Sequence, residues 1–241
     1  MKRTPKARLR RRLRSAFLAV QPRVIPASWL TYRMRAEGRT AALTFDDGPD
    51  PRSSPALWDA LERMDCPATL FYLGRQAEQY PQLVREACSR GHQVSNHGYD
   101  HTVQVSDGWR AYRDNVLRGE AAIRAAEPAA DAFWFRPPRG IFPRRLLVWA
   151  ALRNRTIAKW SLDSGDWSGD AAAVLERTHP DCVRPGDVIL MHEDNAETLR
   201  ILPEIVGRLR DAGYSFVTMR ARPVAPSPGA RPRSTNGPSH R

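Results

Sequence analysis

An alternation of short apolar runs and helical spacings extends from about residue 40 to residue 220 and narrows the folds open to this chain. Short apolar or β-rich runs occur at 41–45, 68–73, 92–95, 132–135, 156–160, 188–191 and 215–219. Segments with helical spacing separate most of them. Ser54-Pro55 supplies a capping residue followed by proline at the first helical position, and Leu57, Leu61 and Met64 then recur on one face. Residues 76–90 place Tyr80, Leu83, Val84 and Ala87 on one face and end before Gly91, where a helix-terminating glycine belongs. A third helix is expected from near Ser106, carrying Trp109, Tyr112, Val116 and Ile123. A last one covers 196–212, with Leu199, Leu202, Ile205, Val206 and Leu209 inward and Gly213 at its end. Strands alternating with helices require right-handed crossovers and a parallel sheet. Seven strands suit a β/α barrel and an open doubly wound sheet equally well. In both, ligands bind beyond the carboxyl ends of the strands, so reactive side chains are expected directly after the apolar runs.

Charge separates this body from its ends. The net charge of the 241 residues is +12, but residues 1–39 hold twelve Lys or Arg against the single acid Glu37. Residues 220–241 hold five Arg and no acid, which leaves 40–219 mildly acidic. We therefore divide the chain into a basic, partly disordered N-terminal arm (1–39), one folded domain (40–220), and a disordered Pro/Arg-rich tail (221–241) whose composition cannot bury enough apolar surface to offset its ordering entropy. Charge alone would let the arm touch anionic lipid or nucleic acid weakly. The apolar run Ala16–Val20 is shorter than a signal-peptide core of about 7–15 residues and far shorter than a span of about 20. No transmembrane helix or signal peptide is readable, which favours a cytoplasmic or membrane-peripheral location. Cys66, Cys88 and Cys182 form no CxxC pair and are odd in number, as expected of buried free thiols.

The strand ends carry the expected chemistry. The first run leads into Thr44-Phe45-Asp46-Asp47-Gly48-Pro49. Successive strand side chains point opposite ways, so both carboxylates can face one site only where the strand breaks, and Gly48-Pro49 supplies that break. The third run leads into Asn96-His97-Gly98-Tyr99-Asp100-His101. Histidines at i and i+4 share one face of a helical turn, a spacing that suits two imidazoles on one zinc. Two His and one Asp leave a coordination position open, the mark of a catalytic rather than a structural metal site. Arg136-Pro137-Pro138-Arg139-Gly140 follows the fourth run, Leu162-Asp163-Ser164-Gly165-Asp166-Trp167 the fifth, and Leu190-Met191-His192-Glu193 closes the sixth.

Five such clusters, in this order and at five strand ends, resemble the polysaccharide deacetylases of the NodB-homology type, the carbohydrate esterase group that includes chitin and peptidoglycan deacetylases. The resemblance covers about residues 40–220, and Ala68–Gly74 is similar to that family's second strand. It implies a distorted seven-stranded parallel β/α barrel and metal-dependent removal of acetyl groups from an acetylated glycan. An O-acetyl (acetylxylan-type) esterase and a catalytically inactive carbohydrate-binding relative are the alternatives. It further implies that Asp47, His97 and His101 bind the metal, zinc first, with cobalt, nickel or iron as substitutes. Asp46 would be the general base and Arg136 its partner. His192 would be the general acid, oriented by Asp163. Trp167 and Leu190 would line a pocket for the acetyl methyl, and the backbone N–H of Arg139 would face the oxyanion. Three positions depart from the family's habit: Gly98 where Ser or Thr is common, Thr102 where Pro is frequent, and Arg139 where Tyr is common. The last adds a cation beside the groove and points toward an anionic sugar.

Overall fold

A computed structural model of the chain describes residues 25–36 and 38–220. The run Ala16–Val20, most of the basic arm and the tail lie outside the described residues.

All seven expected strands form: β2 (Thr40–Asp46), β3 (Thr69–Tyr72), β4 (Gln93–Asn96), β5 (Trp134–Phe135), β6 (Thr156–Ala158), β8 (Asp187–His192) and β9 (Ser215–Phe216). Two more were not anticipated. β1 (Leu30–Thr31) and β7 (Leu162–Asp163) are two residues long, too short to show a period. The strands follow the order β1-β6-β5-β4-β3-β2-β8-β7, with β9 added beside β2, and every ladder is parallel. Among the described residues no pairing joins β7 to β1, so the barrel is distorted and open between them.

β1 corrects the expected domain boundary. Leu30 is buried, pairs with Ile157 of β6 and joins a core cluster with Phe135, Leu146 and Ile157, so the folded unit begins well before residue 40. The central strands read as continuous apolar runs because they are covered on both faces: every residue of β2 after Thr40 is buried, as is all of β3.

The helices are α1 (Ser54–Arg63), α2 (Gly74–Gln79), α3 (Pro81–Ser89), α4 (Trp109–Ala126), α5 (Arg144–Leu152), α6 (Ala171–Arg177) and α7 (Ala196–Asp211). The single helix expected over 76–90 is two. Pro81 lacks the N–H needed to continue a helix, so α2 stops at Tyr80 and α3 restarts with proline at its first position. α1 buries Leu57, Trp58 and Leu61, and α7 buries Ile201, Leu202, Ile205, Val206 and Leu209, all in the main core. None of the described helices is long and apolar enough to cross a membrane. The three cysteines are free; Cys66 is buried, while Cys88 and Cys182 are half-buried.

Candidate metal and acid–base site

β2 delivers the first cluster. Asp46 is the last residue of β2 and is buried. Asp47 then enters the left-handed region at φ 77°, which Asp tolerates better than most side chains, and the Gly48–Pro49 peptide that follows is cis. This reversal lets two consecutive carboxylates serve one site. Asp47 Oδ1 lies 3.0 Å from His101 Nε2 and 3.5 Å from His97 Nε2, and the other His97 contact is Asp46 Oδ2 at 3.7 Å.

The two histidines do not sit on a helical turn, as their spacing suggested. Residues 97–101 are a loop beyond β4, and Gly98 turns it at φ 89°. A Cβ at Gly98 would come 2.5 Å from Asn115 Oδ1 on α4. Glycine is therefore required there, which explains the first departure from the family's habit. Asn115 supplies the support a loop hydroxyl would have given: its Oδ1 accepts from Tyr99 N–H at 3.0 Å, and its Nδ2 donates to the Asp100 carbonyl at 3.3 Å. His97 Nδ1 lies 2.8 Å from the Arg136 carbonyl, the geometry of an N–H donor, which leaves the Nε2 lone pair facing Asp47.

One ligand atom from each of Asp47, His97 and His101 lies within 4.8 Å of the others. Asp47 Oδ1 and His101 Nε2 are buried without any aligned hydrogen bond, close as they are. Orphaned buried polar atoms are costly, and these two converge with a third donor of the same kind. The three-donor set fits a divalent cation with open coordination positions. Electrostatics favours ligand-ready forms at two of the three positions. Burial pushes the Asp47 carboxyl up, but His101 beside it and the nearby imidazoles bring it down to about 2. Burial pulls His97 below the usual imidazole range, so it is neutral. His101 is pushed upward by Asp47, against the effect of burial.

Beside this cluster stands Arg136, fully buried at the end of β5. Its Nη1 donates to Asp46 Oδ1 at 2.7 Å and to Thr44 Oγ1 at 2.8 Å, its Nη2 donates to the Lys159 carbonyl at 3.2 Å, and its Cζ lies 4.0 Å from the centroid of the Phe71 ring. Level with Asp46 stands His192, its register partner across β2 and β8. Its Nδ1 is 2.9 Å from Asp166 Oδ1, and its backbone N–H donates to Asp166 Oδ2 at 2.7 Å. Thr198 Oγ1 donates to the same Oδ2 at 2.6 Å. Burial alone would lower the His192 pKa, but the Asp166 hydrogen bond and charge, with smaller help from Asp46 and Asp47, raise it to about 9.

Asp166, rather than Asp163, is thus the carboxylate that holds His192. The register explains why. β7 pairs Asp163 with Leu190, two residues short of His192, and a strand rises about 3.3 Å per residue. Asp163 Oδ1 instead accepts from Gly165 N–H at 3.0 Å, and the chain needs three more residues to bring a carboxylate level with the imidazole. The two aspartates of this motif were both visible in the sequence, but only the strand pairing separates them.

The remaining expected residues are less tightly tied to the site. Arg139 adopts φ 55° and lines a cavity of about 230 Å³ with His101, Val103, Val105, Tyr112 and Ile141. Leu190 is buried in β8, and Trp167 lies at 68% exposure just after Asp166; neither lines that cavity.

Comparison with known proteins agrees with this geometry. The polysaccharide deacetylase family model matches residues 33–156. A peptidoglycan-N-acetylglucosamine deacetylase of Bacillus cereus is 34% identical over 74% of this chain and 66% of its own length. A chitooligosaccharide deacetylase of Sinorhizobium fredii is 33% identical over 71% of this chain and 86% of its own. Among solved structures, the Bc1960 peptidoglycan N-acetylglucosamine deacetylase superposes with a TM-score of 0.73 at 30% identity, covering 79% of this chain and 90% of that one. The ordered strand-end motifs, the parallel open barrel and these similarities together show that the chain belongs to the polysaccharide deacetylase family of hydrolases.

Proposed function

We propose that this chain hydrolyses the acetamide of N-acetylated hexosamine units in a glycan, using one divalent cation held by Asp47, His97 and His101. Zinc is the first choice for two imidazoles and one carboxylate in a site with open positions; cobalt, nickel and iron suit the same donors. The observation that carries the reading is the company that cluster keeps: a buried Asp46–Arg136 pair, and a His192–Asp166 pair level with Asp46 across β2 and β8. A bound cation would lower the pKa of water at the site toward about 7 and polarise the amide carbonyl.

The chain's own residues would do the proton work. Asp46, with Arg136 fixing its Oδ1, takes the proton of the attacking water, a role typically worth about 10²–10⁴-fold. His192 enters the reaction as imidazolium and gives its Nε2 proton to the departing nitrogen while Asp166 holds Nδ1. That pair favours amide over ester hydrolysis, because an amine leaves poorly unless protonated whereas an ester alcohol depends less on an acid. The Arg139 backbone N–H would help hold the oxyanion, and Leu190 and Trp167 would contact the acetyl group or its sugar. The Arg139 side chain is exposed on the cavity rim, where its cation would favour a glycan with an acidic substituent.

The test is acetate release from N-acetylglucosamine oligomers, from peptidoglycan and from acetylated xylan, before and after removal of metal with a chelator. The reading predicts release from the N-acetylated glycans, lost on chelation and restored by zinc. Release from xylan alone would favour the O-acetyl esterase, and no release from any of them would favour an inactive carbohydrate-binding relative. Arg139→Tyr should narrow the preference for acidic over neutral oligomers; an unchanged preference removes Arg139 from substrate selection.

A further inference from the structure

The residue after His192 has no part in the proton work above, yet it is built into both halves of the site. Glu193 is buried at the end of β8. Its backbone N–H donates to the Asp46 carbonyl at 3.0 Å. Its Oε1 accepts a short hydrogen bond from Ser54 Oγ, and Ser54 Oγ in turn accepts from Asp50 N–H at 2.8 Å. Its Oε2 packs against Gly48 so closely that a Cβ there would lie 2.4 Å from it and 2.7 Å from Tyr72 Cε1. Leu73 N–H donates to the Gly48 carbonyl at 2.8 Å and closes the far side. One side chain therefore touches the segment 46–54 at its turn and at its end, while its own backbone grips the start.

We propose that Glu193 is a positioning residue: its buried carboxyl sets the spacing between the turn that carries Asp46 and Asp47 and the strand that carries His192. Two observations say what the carboxyl supplies. First, the contact with Gly48 is steric, so the volume and length of the side chain matter. Second, burial pushes this carboxyl up to about 8, with Ser54 opposing and the charges of Asp50, Asp194 and Asp47 adding to it, so at neutral pH it is mostly the uncharged acid. A neutral side chain of the same length should serve equally well. The inference rests on the metal-site reading above, because the turn it positions is the one bearing the proposed ligand.

The experiment compares Glu193→Gln and Glu193→Ala in the full chain by zinc titration of the metal-free protein, and then by kcat and KM for an N-acetylglucosamine oligomer. Glu193→Gln should bind zinc within about threefold of the parent and keep kcat within the same factor. Glu193→Ala should bind zinc about 10–100-fold more weakly, the usual cost of losing a group that supports a ligand, and at saturating zinc should lower kcat with little change in KM. Ser54→Ala keeps the carboxyl in place but removes its hydrogen bond; it should fall between the two and supplies the comparison if Glu193→Ala does not fold. Glu193→Gln as damaged as Glu193→Ala would overturn the proposal, since charge and not spacing would then be required. Parental zinc affinity in Glu193→Ala would overturn it equally. Failure of the parent itself to release acetate would sink the functional reading and leave the zinc comparison standing.

Discussion

Replacing Asp166 by Asn separates the structure's assignment of the acid from the one the sequence suggested. The carboxylate is buried and receives hydrogen bonds from His192 Nδ1, His192 N–H, Thr198 Oγ1 and Trp167 N–H. Asn cannot accept on both arms, so one contact becomes donor against donor or His192 is forced into the wrong tautomer. The charge is lost as well. With Asp166 in place the imidazolium persists to about pH 9; an unperturbed imidazole titrates near 6.5 and burial alone would take it lower. At 1.36 kcal/mol per pH unit, the lost support of the imidazolium is on the order of 3 kcal/mol. The protonated form, nearly complete at pH 7.5 in the parent, becomes about a tenth or less of the population, and the tautomer fault adds to that. We expect kcat to fall about 10²–10⁴-fold. The sign of the pH effect follows from the role: an acid acts only while protonated, so parental activity declines as pH rises through about 9, and in Asp166→Asn that decline moves below about 6.5. Acetate release measured from pH 5 to 10 on parent, Asp166→Asn and Asp163→Asn reads both effects. Asp163→Asn removes a charge but keeps an amide oxygen that can accept from Gly165 N–H, and should leave the alkaline decline where it was. If Asp163→Asn moves that decline and Asp166→Asn does not, Asp166 is not the partner of the acid.

Further outcomes follow from the same geometry. Asp46→Asn should keep parental zinc content while losing about 10²–10⁴ of turnover, because the base touches the reaction but is not among the three proposed ligands. Arg136→Met removes the guanidinium paired with the buried Asp46 carboxylate and should destabilise the metal-free fold by about 3–5 kcal/mol, read as a lowered denaturation midpoint in urea. Gly98→Ala must place a Cβ 2.5 Å from Asn115 Oδ1 at a left-handed φ; about 1–3 kcal/mol of stability should be lost, and zinc affinity with it, because the loop between the two histidines shifts.

The sequence disclosed the parallel sheet through its buried strands, because β2, β3 and β8 are covered on both faces and read as unbroken apolar runs, while the choice of a barrel over an open sheet came from the family resemblance. β1 and β7 were hidden by their length, and β1 also lay among basic residues that suggested an arm. α6 had a readable cap, since Asp170 accepts from Ala173 N–H, but its seven residues carry little periodicity. At the site, residues directly after strands were legible by position. What the sequence withheld was relations between elements: Asp166 against His192 depends on the β7–β8 register, Asn115 supports the histidine loop from α4, and Glu193 meets Ser54 from 139 positions away.

Three side chains sharing one cation fix a stoichiometry, which zinc titration of the metal-free protein and elemental analysis of the loaded form measure. One zinc per chain is expected in the parent and in Asp46→Asn, and loss of that zinc in His97→Ala and in His101→Ala. Full zinc occupancy in His97→Ala, or no stoichiometric zinc in the parent, would contradict it.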